Sequence, residues 1–373
     1  MKAEGKAPGL HPGVHAPCPL LPAAMKITDL ELHLVEIPRA DGLPPVRSLL
    51  VRLTSQRGLE GWGEAWLAWR PGELAARRDA LLAVLAGRSL FDIEELQTLE
   101  ALGPPPLRAA VEMALWDLAG RVTGQPLCRL LGGEYRRQIP LAARLHGRSP
   151  DRVARRARPL VDQGFHALVL AASGQVDLDH KLVTAVRQAV GGRIDLRLDA
   201  QAAFAADAAR DLCAQIEFEQ VRFLLDPLAT RELYPVAALG RQTPVPLGVW
   251  RAIRGPGDVL ALVRCGAAAY VVLDPEQLGG ISPARAAVAI AAAGGIAPLL
   301  GGRPALGIAT AAMLHLAAAT PPLGDANESA YHQLQDDVLA EPLQIAGGMI
   351  TVPQGPGLGI DIDRAKIERY ALG

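Results

Sequence analysis

Aromatic side chains are scarce in this sequence, 4% of 373 residues, so its core has to be built from small aliphatic side chains, mainly Ala, Leu and Val. Cysteine is limited to Cys18, Cys128, Cys213 and Cys265. None stands in a CxxC pair, which argues against a disulfide framework or zinc knuckle and leads us to expect a reducing cytoplasm. Neither sign of charge dominates. The net charge is -1 and the basic residues form no long block, so neither nucleic acid nor an anionic membrane surface is an expected partner. No run approaches the ~20 uninterrupted apolar residues of a membrane span.

What is present is length and rhythm. The chain suits a barrel of about 250 residues plus an accessory domain. Residues 1–24 are rich in Pro, Gly and His and are expected to be a disordered extension, their apolar stretch being too short and broken for a secretory segment. From Met25, Ile27, Leu30, Leu32 and Leu34 alternate roughly. A loop over 39–45, a strand over 48–53 and the turn Gln56-Arg57-Gly58 then predict a hairpin. Leu107, Ala110, Val111, Ala114, Leu115 and Leu118 fall at helical steps, with prolines 104–106 at the start and Gly124-Gln125-Pro126 as a break. Short apolar runs then begin near Ile139, His166, Ile194, Val221, Val245, Ala269 and Ile296, each followed by helical text. That spacing fits a strand and its crossover helix, so seven βα units are predicted. An open sheet and a closed barrel both fit the repeat. The lack of a GxGxxG after its first strand favours the barrel.

The order of parts, with Gly58–Ala65 (GLEGWGEA), Ala110–Gly120 (AVEMALWDLAG), Gly124–Gly133 (GQPLCRLLGG), Leu278–Ile281 (LGGI) and Val352–Ile360 (VPQGPGLGI), resembles the mandelate racemase and muconate lactonizing enzyme branch of the enolase superfamily over residues 25–373. The resemblance implies a (β/α)7β TIM-like barrel over 136–330, an α+β capping domain and linking helix over 25–135, and a segment over 331–373 that returns to the cap. It also implies a homo-oligomer, with ligand specificity set by the cap loop near 41–46 and the strand ends. His315, on an apolar helix, reads as a core histidine, and Trp116-Asp117 as packing plus a local hydrogen bond.

In the resembled family, magnesium on three carboxylates stabilises an enediolate while a Lys or His moves the proton. This sequence departs from that pattern at most positions. Asp199, in Arg197-Leu198-Asp199-Ala200, matches the third-strand ligand, with Gln201 where Asn is usual. On the fourth strand Leu225 takes the ligand place and Asp226 falls one residue late, which in a continuing strand points to the opposite face. Trp250 and Arg251 stand where the fifth strand carries Asp-Glu. Val169 and Ala171 replace the second-strand lysines, and Asp274 the sixth-strand lysine; the barrel's single lysine, Lys181, falls in helical text. Full magnesium binding is therefore not expected, Asp199 being the one residual ligand.

Buried carboxylates that lose a cation need another positive partner, so Arg251 is expected in the former metal position, paired with Asp199 or Asp274. Three functions stay open. The first is a family member without magnesium-dependent α-proton abstraction, binding a small organic acid through Arg251 or Arg303. The second is a metal-independent isomerase or lyase using Asp226 and Asp274 beside an apolar wall from Trp250. The third is a conventional magnesium-dependent racemase or cycloisomerase.

Overall fold

The computed structural model describes residues 25–373, so the extension expected at 1–24 lies outside the described residues. Strands β1 (Ile27–Ile37), β2 (Val46–Ser55) and β3 (Glu60–Ala65) form one antiparallel sheet in the order β1-β2-β3. The sequence predicted a hairpin; the glycine-rich segment after the turn adds a third strand. Helices α1 (Leu74–Leu85) and α2 (Ile93–Gln97) lead to the linking helix α3 (Pro105–Thr123), which begins on a proline and ends at left-handed Gly124. The sheet lies directly on α3 because β3 carries glycines. A Cβ at Gly61 would stand 2.2 Å from the Ala114 carbonyl oxygen, and one at Gly63 would stand 1.8 Å from that of Ala110.

After the short α4 (Leu127–Leu130), the predicted rhythm is realised. Parallel strands β4 (Gln138–Leu145), β5 (Ala167–Ala171), β6 (Asp195–Asp199), β7 (Val221–Leu225), β8 (Leu247–Val249), β9 (Tyr270–Leu273) and β10 (Ala297–Leu300) run in sequence order around one sheet. An eighth strand, β11 (Asn327–Ser329), pairs in parallel with β4. It meets β10 where Leu300 N–H donates to Asn327 Oδ1 at 2.8 Å, closing the ring. Helices α5 (Pro150–Asp162), α6 (Val176–Val190), α7 (Ala206–Gln215), α8 (Leu233–Gly240), α9 (Pro256–Cys265), α10 (Pro275–Leu278), α11 (Ile281–Ala293) and α12 (Gly307–Ala319) fill the crossovers. None of the described helices is long and apolar enough to cross a membrane.

The tail ties cap to barrel. Strands β12 (Ile345–Ala346) and β13 (Met349–Thr351) extend the sheet from β4, α13 (Arg364–Tyr370) follows, and Leu372 N–H donates to Leu34 O at 2.8 Å. Asp117 does more than the local bond expected of it. Besides Arg121, its buried carboxylate accepts from Trp62 N–H at 2.9 Å and Leu358 N–H at 2.8 Å, joining β3, α3 and the tail. His315 is a core residue, as its surroundings suggested. Its Nδ1 accepts from Cys128 N–H at 3.2 Å, which leaves Nε2 to donate to Leu358 O at 3.0 Å, and burial pulls its pKa down to about 4. Cys128, Cys213 and Cys265 are all free thiols.

Candidate functional site

Strand periodicity decides what faces the barrel interior. On β6, Leu196 and Leu198 join the large core under the helices, while Asp195, Arg197 and Asp199 take the alternate positions. Phe223, Leu225, Val272 and Leu299 pack together inside the ring, with Trp250 and Tyr270 against them. Leu225 thus stands where the resembled family places a ligand, but it is a core side chain. Arg197 packs below, donating to Asp195 at 2.7 Å and Ala326 O at 2.8 Å beside the Phe223 ring.

At the carboxyl ends of the strands an ion network replaces a simple pair. Asp199 is fully buried. It accepts from Arg251 Nη1 at 3.0 Å and Nη2 at 3.1 Å, from Arg144 Nη1 at 2.9 Å and from Gln201 N–H at 2.9 Å. Burial alone would raise its pKa, but the Arg144 charge and the Arg251 hydrogen bonds hold it below the usual carboxylate range. Arg144 also pairs with Glu328 on β11. Arg251 Nη1 reaches Asp226 Oδ2 at 2.8 Å, and its pairing with the two carboxylates overcomes burial and raises its pKa, keeping it charged. Arg251 was expected to pair with Asp199 or Asp274; it pairs with Asp199, and its second partner is Asp226.

Asp226 reaches this position because β7 ends at Leu225. Its backbone turns left-handed, φ 44°, and the carboxylate accepts from Trp250 N–H at 2.8 Å and Arg251 N–H at 3.0 Å. The opposite-face expectation assumed a continuing strand; the turn cancels it. Gln201 and Ala202, beyond β6, are also left-handed, both with φ 57°. Three of the four described non-glycine residues with positive φ therefore lie beside this network, local strain of about 1 kcal/mol or more each.

Above the network lies a cavity of about 700 Å³. Arg39, Arg144, Arg231, Arg251, Arg254 and Arg303 line it. Its other walls include Trp66 from the cap, Trp250, whose Nε1 has no partner among the described residues, and His146, whose pKa burial and then the Arg144 charge pull down to about 4. Arg303 lies over the Trp66 ring, 4.3 Å from its centroid. Asp274 also lines the cavity and caps α10, accepting from Glu276 N–H at 3.0 Å; burial pushes it up to about 6, against its backbone donors. Glu276 beside it accepts from Trp66 N–H at 3.1 Å and is pushed up to about 8 by burial and then by the Asp274 charge.

The site therefore unites Asp199, Asp226 and Arg251, and it sets Trp250, Arg303 and Asp274 around the cavity. The sequence reading missed Arg144, Glu328 and Glu276. Arg144 gave a signal, a lone guanidinium after the apolar run 139–143 of its strand; Glu276 gave none, since its role depends on contact with the cap. The residues do not fit the magnesium that the resemblance implies. Among the described residues no three His, Cys, Asp or Glu side chains gather to hold a metal ion, and both oxygens of Asp199 already accept from guanidinium groups.

These features define a barrel with cationic side chains at the mouth, closed over by an α+β cap. The Enolase C-terminal domain-like model matches residues 152–366, and the Mandelate racemase / muconate lactonizing enzyme N-terminal domain model matches 45–132. The chain belongs to the enolase superfamily, in its mandelate racemase and muconate lactonizing enzyme-like branch. It is 29% identical to muconate cycloisomerase 1 of Rhodococcus opacus, covering 86% of this chain and 90% of that protein. It is 28% identical to the N-succinylamino acid racemase of Thermus thermophilus, covering 93% and 98%. A solved enolase structure from Mycobacterium smegmatis, complexed with tartrate, superposes with a TM-score of 0.85 at 27% identity, covering 93% of this chain and 91% of that one.

Proposed function

We propose that this protein binds a small organic acid at the barrel mouth through guanidinium groups and has given up magnesium-dependent α-proton abstraction. One observation carries the reading: Arg251 sits between Asp199 and Asp226, where the resembled family holds its cation. A divalent ion brought to Asp199 at about 4 Å from Arg251 would meet a repulsion of about 8 kcal/mol at an effective dielectric constant near 20, with Arg144 adding to it. The same guanidiniums suit a carboxylate, which they recognise by paired N–H donors. A relative of the same fold that holds tartrate supports an organic acid as the ligand class.

Calorimetric titration with MgCl2 and with sodium tartrate tests the reading. The expected result is binding of tartrate in the absence of metal and no binding of Mg2+ at millimolar concentration. Tight Mg2+ binding abolished by Asp199→Ala would restore the conventional racemase or cycloisomerase reading.

A second reading, a metal-independent isomerase or lyase, is favoured by Asp274, which opens on the cavity with its pKa raised to about 6. Asp226 does not share that work in this reading, since three donors hold its carboxylate beneath Arg251. Exchange of a substrate α-proton with solvent deuterium in the absence of metal, lost in Asp274→Asn, would select it.

A further inference from the structure

Glu276 has no part in the network that carries the proposed function, yet it forms part of the cavity wall. Its Oε2 accepts from the cap at Trp66 N–H, while Oε1 has no hydrogen-bond partner among the described residues, and no ion pair forms at this carboxyl. The charged groups facing it are Asp274 on its own turn, Glu64 from β3 and Arg303 after β10; Glu112 on α3 lies behind, accepting from Ser282 N–H at 2.9 Å. Carboxylates thus outnumber the single guanidinium near it. A partly buried carboxyl in that company keeps its proton at neutral pH, in line with a pKa pushed up to about 8. A protonated carboxyl, unlike a carboxylate, has a hydrogen to donate.

The charge of the cavity points to the partner for that hydrogen. Six arginines line it. Asp274 and Glu328 face them, and Asp199 and Asp226 lie bonded beneath. With Glu276 uncharged, the positive groups exceed the negative by two. Ionised, Glu276 would halve that surplus and set a negative charge against any bound anion.

We propose, resting on the acid-binding reading above, that Glu276 is a ligand-binding residue. It donates its O–H from Oε1 to a carboxylate oxygen of a dianionic organic acid while Oε2 stays on the cap at Trp66. No bond is made or broken, and the proton stays on Glu276. The acid then bridges the arginines of the barrel and a carboxyl that is itself anchored to the cap, so anion binding and cap contact are coupled through one side chain.

The test is calorimetric titration of the full chain with tartrate between pH 6.5 and 9.5, for wild type, Glu276→Gln and Glu276→Ala. The wild type should bind with constant affinity to about pH 7.5 and then weaken by up to about tenfold per pH unit, since one proton must be present for tight binding. Glu276→Gln, whose amide donates at every pH, should keep the neutral-pH affinity within about threefold and lose the alkaline weakening. Glu276→Ala should bind about tenfold more weakly at pH 7, the loss of one hydrogen bond to a charged group. An alkaline weakening that persists unchanged in Glu276→Gln overturns this proposal alone. A wild type that binds no tartrate at any pH overturns the acid-binding reading and this proposal with it.

Discussion

Replacing Arg251 with Met removes the guanidinium, which lies over the Trp250 ring, and keeps an unbranched aliphatic side chain in its place. Asp199 then keeps Arg144 and the Gln201 N–H, and Asp226 keeps two backbone donors. Removing one partner of a fully buried ion pair costs about 3–5 kcal/mol. The Arg251 side chain is 28% exposed and both carboxylates retain other donors, so the expected loss is nearer about 2–3 kcal/mol. In a chain of this size that lowers Tm by about 3–4 °C.

Urea unfolding at pH 7 reads the loss directly, and Asp199→Asn with the double variant closes a cycle. The double variant should lose at least about 1 kcal/mol less than the sum of the two single losses, because each single change leaves a buried charge poorly paired. The pH dependence supplies a further check. The pKa of Asp199 is held below its unfolded value, so its contribution is present above about pH 4 and is lost as pH falls through the folded value. With Arg251 gone that value rises and acid destabilisation begins at higher pH. A variant within about 0.5 kcal/mol of wild type, or strict additivity in the cycle, would refute the idea that Arg251 neutralises these carboxylates.

Three further outcomes test the frame that holds the site. Gly63→Ala drives a Cβ into the Ala110 carbonyl, so a loss of about 3 kcal/mol or more should appear as a lower thermal midpoint; an unchanged midpoint would mean that β3 does not lie on α3. Glu64 accepts from Leu306 N–H and Ala309 N–H at the start of α12, and burial pushes its carboxyl up to about 7. Its stabilising contribution is full below an unfolded pKa of about 4.3 and lost as pH rises through about 7, so Glu64→Gln should flatten the decline in urea midpoint between pH 5 and 8. His315→Leu leaves the Cys128 N–H and the Leu358 carbonyl buried without partners and should cost about 2–4 kcal/mol by urea unfolding.

The barrel was legible because each strand start carried its own apolar run, and seven successive runs at a near-constant interval report a local property repeated. The third cap strand was harder to see. Glu60–Ala65 is glycine-rich, and its place depends on how closely α3 approaches, which no local preference encodes. The site divides in the same way. Arg251 and Asp199 followed from their match to the ligand positions of the resembled family and from the need to balance charge. Asp226 was misplaced because alternation applies only while a strand continues, and one left-handed residue ends it. Arg144 and Glu328 stand on the first and last barrel strands, 184 residues apart, and become neighbours only when the ring closes. Glu276 is set by a cap residue 210 positions away.

Charge conservation connects these particulars. In the resembled family, three carboxylates around a divalent cation leave one negative charge. Here Asp199, Asp226 and Glu328 surround Arg144 and Arg251 and leave the same balance. Under the proposed function, two monovalent guanidiniums on separate strands stand in for one divalent ion, and the difference lies in geometry rather than in total charge. A metal ion concentrates its charge at one point and polarises a single substrate oxygen there. Two planar guanidiniums spread theirs over several N–H donors and can hold a carboxylate without polarising it comparably. Under that reading, retention of the charge would keep the buried carboxylates balanced, and dispersal of the charge would remove the point polarisation that enediolate chemistry needs. Arg144 and Arg251 are thus expected to act as a unit: replacing either should weaken tartrate binding, and replacing both should add little to the loss from one.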